Sequence, residues 1–202
     1  MSVKDKKRGR PKGTSTQLSA QSILVMAKQM MRDNGKIPSI RQLAMNLNVD
    51  AMAIYHYFSN KNALLEAITT SLIQDIYQPI TELDKVMNDQ QGCHYWKNEL
   101  HQLCLSYLTL LDNYPGLLET LLGMESVSPA EVFIERFNRV IAPLHLDDDA
   151  AKQALDLLVD YLHGLALALN CRDDPSVTVD DLLKGPLELY SLALMHAKKA
   201  TC

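Results

Sequence analysis

Apolar residues in this chain recur at helical spacing, and nowhere do they alternate as a half-buried strand requires. Ile23, Met26, Ala27, Met30 and Met31 fall at i, i+3, i+4, i+7 and i+8, which lines one face of a helix with about 3.6 residues per turn. The same rhythm returns in Ala63, Leu64, Ala67, Ile68, Leu72 and Ile76, and again from Trp96 through Leu100, Leu103, Leu110 and Leu111. A chain patterned this way buries its stripes by packing helix on helix, so the predicted fold class is all-α. Apolar residues make up 47% of the 202, which is ample for a core and too many for a disordered chain.

Punctuation divides the pattern. Ser19 opens a first helix and Gly35 stops it. Ser39, after Pro38, caps a second helix whose face is Ile40, Leu43, Ala44 and Leu47. Asn48 tolerates a left-handed turn, and Asp50 caps a short third helix from Ala51 to Tyr57. Ser59 is expected to cap a long fourth helix that Pro79 kinks or ends. Beyond it, one helix closes at Asn113–Tyr114–Pro115–Gly116, and a short one fits Leu117 to Leu122. Ser128 caps another, with Pro129 at its first position, that runs to about Ile141. Pro143 separates that from a long helix between Asp148 and Asn170; the last spans about Asp180 to Lys199, with a bend expected at Gly185–Pro186. The predicted organisation is a flexible basic arm over 1–17, a three-helix head over 18–62 and a larger helical body over 63–202.

Charge follows the same division. The net charge of −4 conceals eleven Lys/Arg against three Asp/Glu in residues 1–61, a net of +8, and nine against twenty-one in the remainder, a net of −12. A basic end on an acidic body suits a protein that brings only its N-terminal part to a polyanion. Cys93, Cys104, Cys171 and Cys202 form no CxxC pair, the basic start leads into polar residues rather than an apolar signal core, and no apolar run is long enough for a bilayer. A cytoplasmic protein with reduced thiols and no membrane partner is the expectation.

The specific signal is the string SIRQLAMNLNVDAMAIYHYFSNKNALL, from Ser39 to Leu65. Two short helices joined by a tight turn are the geometry that fits a DNA major groove. Val49, Ile54 and Phe58 face inward and lock the pair, while Ala51, Met52, Tyr55 and His56 point outward at the third helix. Ala51 and Met52 offer apolar contact, for example to a thymine methyl, and Arg41 is the best candidate for a bidentate guanine contact. For His56, DNA contact and plain solvation weigh equally.

The residues Leu43–Ala44, Val49, Ile54–Tyr55–His56–Tyr57–Phe58, and Ser59 with Lys61, resemble the tetracycline-repressor (TetR) family of bacterial regulators. The resemblance is close over about residues 19–68 and holds only in layout after residue 90. It departs at Asn48, where the family usually has glycine. It implies a helix-turn-helix head on an effector-binding, dimerising helical body. It also implies that Ser39, Tyr55, Tyr57 and Lys61 hold phosphates. The implied partners are a double-stranded DNA operator, a small-molecule effector and a second copy of the chain.

Residues 6–12 read KKRGRPK. Their Arg-Gly-Arg-Pro core resembles the AT-hook, which would lay Arg8, Arg10 and Lys12 along a narrow minor groove. A sequence-blind phosphate-binding tail fits the same residues equally well.

In the body, Leu155, Leu158, Leu162 and Ala166, followed by Leu187, Tyr190 and Leu194, form wide stripes on the last two long helices. Two such helices from each of two chains would bury them in a four-helix interface, and the alternative is a monomeric core with unusually wide stripes. A pocket among the middle helices would draw on His101, Tyr107, Met124, Phe133, Phe137 and His163. His94, His101 and Cys104 fall at helical spacing but make too few convergent ligands for a metal. The chain has no HExxH, phosphate loop or nucleophile elbow, so no metal, cofactor or enzymatic activity is expected. The reading is a sequence-specific regulator, most simply a ligand-responsive repressor. The alternative is a helical small-molecule or protein-binding module with only non-specific DNA affinity. Removing residues 1–17 is expected to flatten the plot of log affinity for DNA against log salt by about 0.9 for each phosphate the arm contacts, measured by fluorescence anisotropy over a salt series.

Overall fold

The computed structural model describes residues 18–80, 92–169 and 177–200, and every regular element among them is helical. The arm, with Arg8, Arg10 and Lys12, lies outside the described residues. Helix α1 (Ala20–Asn34) opens on a capping box in which Ser19 and Ser22 each receive the other's backbone N–H, at 3.1 and 2.9 Å. Gly35 ends it in the left-handed region at φ 62°, its N–H returning to Met31 O at 2.8 Å. Helix α2 (Ile40–Leu47) has a second box, Ser39 with Gln42. Asn48, at φ 53° and ψ 46°, takes the left-handed position as expected. Asp50 caps α3 (Ala51–Tyr55) by accepting the Met52 N–H at 2.7 Å.

Helix α3 is shorter than the predicted span to Tyr57. Helix α4 (Lys61–Gln74) is capped by Asn60 rather than Ser59, through Oδ1 and the Ala63 N–H at 2.9 Å. Both residues are good caps, and only Asn60 stands immediately before the first helical turn. The body continues with α5 (Gly92–Asn113), α6 (Leu117–Leu122) and α7 (Ser128–Ile141), then a 3-10 turn over Ala142–Leu144, α8 (Asp148–Leu169) and α9 (Val179–Ala200). Ser128 is the first residue of α7, not its cap.

Helix α4 joins head to body, packing on α1 on one side and α7 on the other; α5 runs through the centre against α7, α8 and α9. Trp96, Leu100, Leu103 and Leu108 of α5 are fully buried, as is Phe137 of α7. Helix α4 ends five residues before Pro79, so something other than proline stops it. The buried Arg136 of α7 does so. Its guanidinium donates to the carbonyls of Ile76 at 2.6 Å, Gln74 at 2.9 Å, Ile73 at 3.3 Å and Tyr77 at 3.4 Å. A cation on the unpaired carbonyls of a helix C-terminus meets both their hydrogen-bond demand and the helix dipole. The chain beyond is strapped to α5. Ser106 Oγ accepts the Tyr77 N–H at 2.8 Å, and the buried carboxylate of Glu99 takes the Tyr77 hydroxyl at 2.8 Å and the Ile80 N–H at 3.1 Å. Burial, then Glu99, pushes the Tyr77 pKa up to about 12.

Helix α9 runs unbroken through Pro186, where the sequence predicts a bend. Proline leaves the carbonyl four residues back without its helical donor. That carbonyl, Leu182 O, is reached by the Tyr161 hydroxyl of α8 at 3.4 Å, and Pro186 itself is exposed.

Replacing Arg136 with methionine keeps the apolar stem and removes the guanidinium donors from the C-terminus of α4 and the residues just beyond it. Loss of about 3 kcal/mol of folding stability is expected, read as a lowered midpoint in urea denaturation.

Candidate functional site

The head turns a short row of side chains outward. Ile54 is fully buried, Phe58 is buried and Val49 packs partly against the same core, which fixes the roll of α3. Met52 (64% exposed), Tyr55 (43% exposed) and the exposed His56 then project into solvent, with Arg41 on α2 and Lys61 at the start of α4 also exposed. Ala51 does not join them, since it is partly buried against the core. Two expected phosphate ligands carry local tasks. The Tyr57 hydroxyl donates to Leu18 O at 2.6 Å, tying the entry of α1 to the end of α3. The Ser39 hydroxyl donates to Gln42 Oε1 at 2.8 Å within its capping box. Met45, one turn beyond Arg41, is 75% exposed and was not singled out in the sequence; its i+4 spacing from Arg41 was the available signal.

Lys28 of α1 ties the head to the end of α4 through Ser71 O at 3.0 Å and Asp75 Oδ2 at 2.7 Å, and two further joints bear on the helices of the body. The Arg32 guanidinium of α1 donates to the Tyr114 hydroxyl at 2.7 Å and lies 5.2 Å from the centre of that ring. Beside it, Gly35 faces Pro115, so the Tyr-Pro-Gly break that ends α5 is also the seat on which the end of α1 rests. At the other joint, Ser126 and Ser128 both donate to Glu66 Oε1 of α4, each at 2.8 Å. These two hydroxyls lower the Glu66 pKa, so its carboxylate stays ionised near neutrality.

Ser126 also lines a cavity of about 500 Å³ walled by α4 through α8, within the size range of small-molecule sites. Of the six predicted pocket residues, Tyr107, Phe133 and His163 line it. The Tyr107 oxygen is 2.9 Å from His163 Nε2, and its ring lies 4.8 Å from that of Phe133. Burial lowers the His163 pKa, an effect partly offset by Asp160, and burial raises that of Tyr107. The other three lie elsewhere. His101 Nε2 is 3.2 Å from Asp180 Oδ1, linking α5 to α9. Met124 faces the groove between head and body, its sulfur 3.5 Å from Thr69 Oγ1. Phe137 is wholly enclosed in the core. Asp156 and Asp160 at the rim were not foreseen, although with His163 they mark one face of α8 at i, i+4 and i+7.

The predicted dimer stripe is corrected by burial. Leu158, Leu162, Ala166, Leu187 and Leu194 are at most 5% exposed within the single chain and therefore unavailable to a second copy. Leu155 lines the cavity, and the Tyr190 hydroxyl donates to Ala154 O at 2.7 Å. The opposite faces of the same helices carry the exposed apolar residues: Leu157 and Leu167 on α8, Leu189 and Leu192 on α9. Gly164 and Gly185 open onto empty space there.

Among the described residues, no group of three or more His, Cys, Asp and Glu is placed to hold a metal, and no helix is long and apolar enough to cross a membrane. Cys104 is a buried free thiol whose pKa is pushed up by desolvation, the opposite of a reactive cysteine.

Residues 23–68 match the family model described as bacterial regulatory proteins, tetR family. No curated protein sequence matches the chain. Solved structures of similar fold include ActR of Streptomyces coelicolor, 18% identical to this chain when free of ligand and solved also in complex with actinorhodin. That complex is 17% identical with a TM-score of 0.67, over 93% of this chain and 98% of that one. BioQ with its double-stranded DNA operator is 19% identical with a TM-score of 0.63, covering 89% and 99%. A single-residue variant of TetR from Acinetobacter baumannii, in complex with minocycline, is 21% identical with a TM-score of 0.60, covering 91% and 96%. At these identities the likeness is one of fold.

Proposed function

The chain carries the DNA-binding head of the TetR family and the fold of its regulators, and on that premise we propose that it binds a near-palindromic operator as a homodimer and releases it when a small molecule enters the body cavity. The observation that carries this reading is the double placement of Ser126. Its side chain borders the cavity, and its hydroxyl holds Glu66 on α4, the helix that follows the recognition helix. A ligand that draws Ser126 away from Glu66 favours a different setting of the head, and its preference for that setting is the free energy available to weaken DNA binding.

In this reading Met52, Tyr55 and His56 meet base edges or the groove wall, while Arg41 and Lys61 supply cationic contacts. The homodimer forms through the exposed faces of α8 and α9. There Leu157 and Leu189 are 62% and 70% exposed, and two glycines permit close approach. The relatives solved with an operator and with small molecules support both halves of the reading by analogy of fold.

Selection of bound fragments from a random DNA pool is expected to return a two-fold-symmetric site with half-sites about one turn of B-DNA, roughly 34–36 Å, or a multiple apart. Arg41→Ala combined with Tyr55→Ala is expected to lose about 2–4 kcal/mol of affinity for that site. Salt-sensitive binding without sequence preference would replace this reading with that of a ligand- or protein-binding module. Ser126→Ala with Glu66→Ala frees α4 from the start of α7. Operator affinity is expected to fall about fivefold or more in a mobility-shift titration, with the salt slope unchanged because no phosphate contact is lost.

A further inference from the structure

The polar side chains among the described residues that line the cavity are rich in acceptors and include two carboxylates but no lysine or arginine. The Ser126 hydroxyl gives its proton to Glu66. Burial keeps the His163 ring neutral and the Tyr107 phenol protonated. The phenol and the imidazole share one hydrogen bond across their 2.9 Å contact, and the pair keeps one further donor besides its acceptor sites. Asp156 and Asp160 at the rim are acceptors when ionised. Asp156 holds Lys152 at 2.5 Å, whereas no cation among the described residues pairs with Asp160. No lysine or arginine among the described residues lines the cavity, and most of its wall is apolar. An anion would meet carboxylates there and no counter-charge, and a purely apolar molecule would leave the acceptors unanswered.

We infer that the cavity takes a lipophilic amine, with an apolar or aromatic body seated against Phe133 and Tyr107 and its protonated nitrogen at Asp160. The ligand brings the positive charge that the wall lacks, and the volume of about 500 Å³ sets its size at a few fused or linked rings. The inference rests on the reading of this cavity as the effector site, and it names the chemistry the site selects.

The test uses the full chain without DNA, so it does not depend on operator recognition. Dansylcadaverine, an amine, is titrated against its hydroxyl and carboxylate analogues on the same linker, with dansyl fluorescence reporting entry into an apolar site. The amine is expected to bind about tenfold or more tightly than the alcohol, with the carboxylate weakest. Asp160→Asn, a change at an exposed position, should erase the advantage of the amine and leave the alcohol where it was. Equal binding of amine and alcohol, or tighter binding of the carboxylate, overturns the amine assignment while leaving the cavity an effector site of another chemistry. Saturable binding by none of the three overturns the assignment as well, and operator selection then decides separately whether the regulator reading stands. An amine advantage that survives in Asp160→Asn overturns the role of Asp160.

Discussion

The guanidinium of Arg136 lies where α4 runs out of its own hydrogen bonds, and the relation between the two halves of the molecule depends on it. A helix that leaves a small head and enters a larger body presents its last carbonyls to the interior, where water is not at hand. Arg136 answers two of them, Ile73 and Gln74, from α7, and two more just past the helix end, Ile76 and Tyr77. Burial lowers the Arg136 pKa from its ordinary value, yet an arginine begins so far above neutrality that the group remains a cation. With that end fixed, α4 stays registered on α7, Glu66 is brought to Ser126 and Ser128, and the wall of the cavity is closed on the side of Ile73.

The head was legible in the sequence because its constraints are local. Caps, a left-handed Asn48 and a four-residue rhythm of small apolar residues lie within a few positions of one another, and each dictates its own piece of backbone. Even there a finer choice, Asn60 over Ser59, turned on which residue stands against the first turn. The outward row of Met52, Tyr55 and His56 followed from the inward set, while Ala51 was misplaced because a residue that small fits on either side.

The body was legible as helices and not as a site. Two apolar stripes on α8 and α9 demanded burial on two sides, but periodicity does not say which stripe meets the chain's own core and which is left outside. The structure assigns the Leu158–Leu162–Ala166 stripe inward and the Leu157 side outward. In the same way, Tyr107 and His163 are 56 residues apart and Glu66 and Ser126 are 60 apart, so neither pairing leaves a mark at any local spacing. Pro186 misled for the converse reason: a local rule for breaking a helix was offset by a distant hydroxyl, that of Tyr161.

The seat formed by Tyr114 and Pro115 has a mechanical consequence. Arg32 is held there by one hydrogen bond and by the face of a ring, and Gly35 faces Pro115 across a gap that a Cβ would fill, with no interlocking side chain. Such a contact resists sliding but offers little resistance to turning, since a cation can tilt over a ring while staying above it. In the proposed function the seat serves as a fulcrum, Arg136 as the anchored end of the beam and Glu66 as the point where force is applied. On that proposal a rearrangement at the cavity wall reaches the recognition row as a rotation of the head, and a small angle at the fulcrum becomes a larger arc at Tyr55.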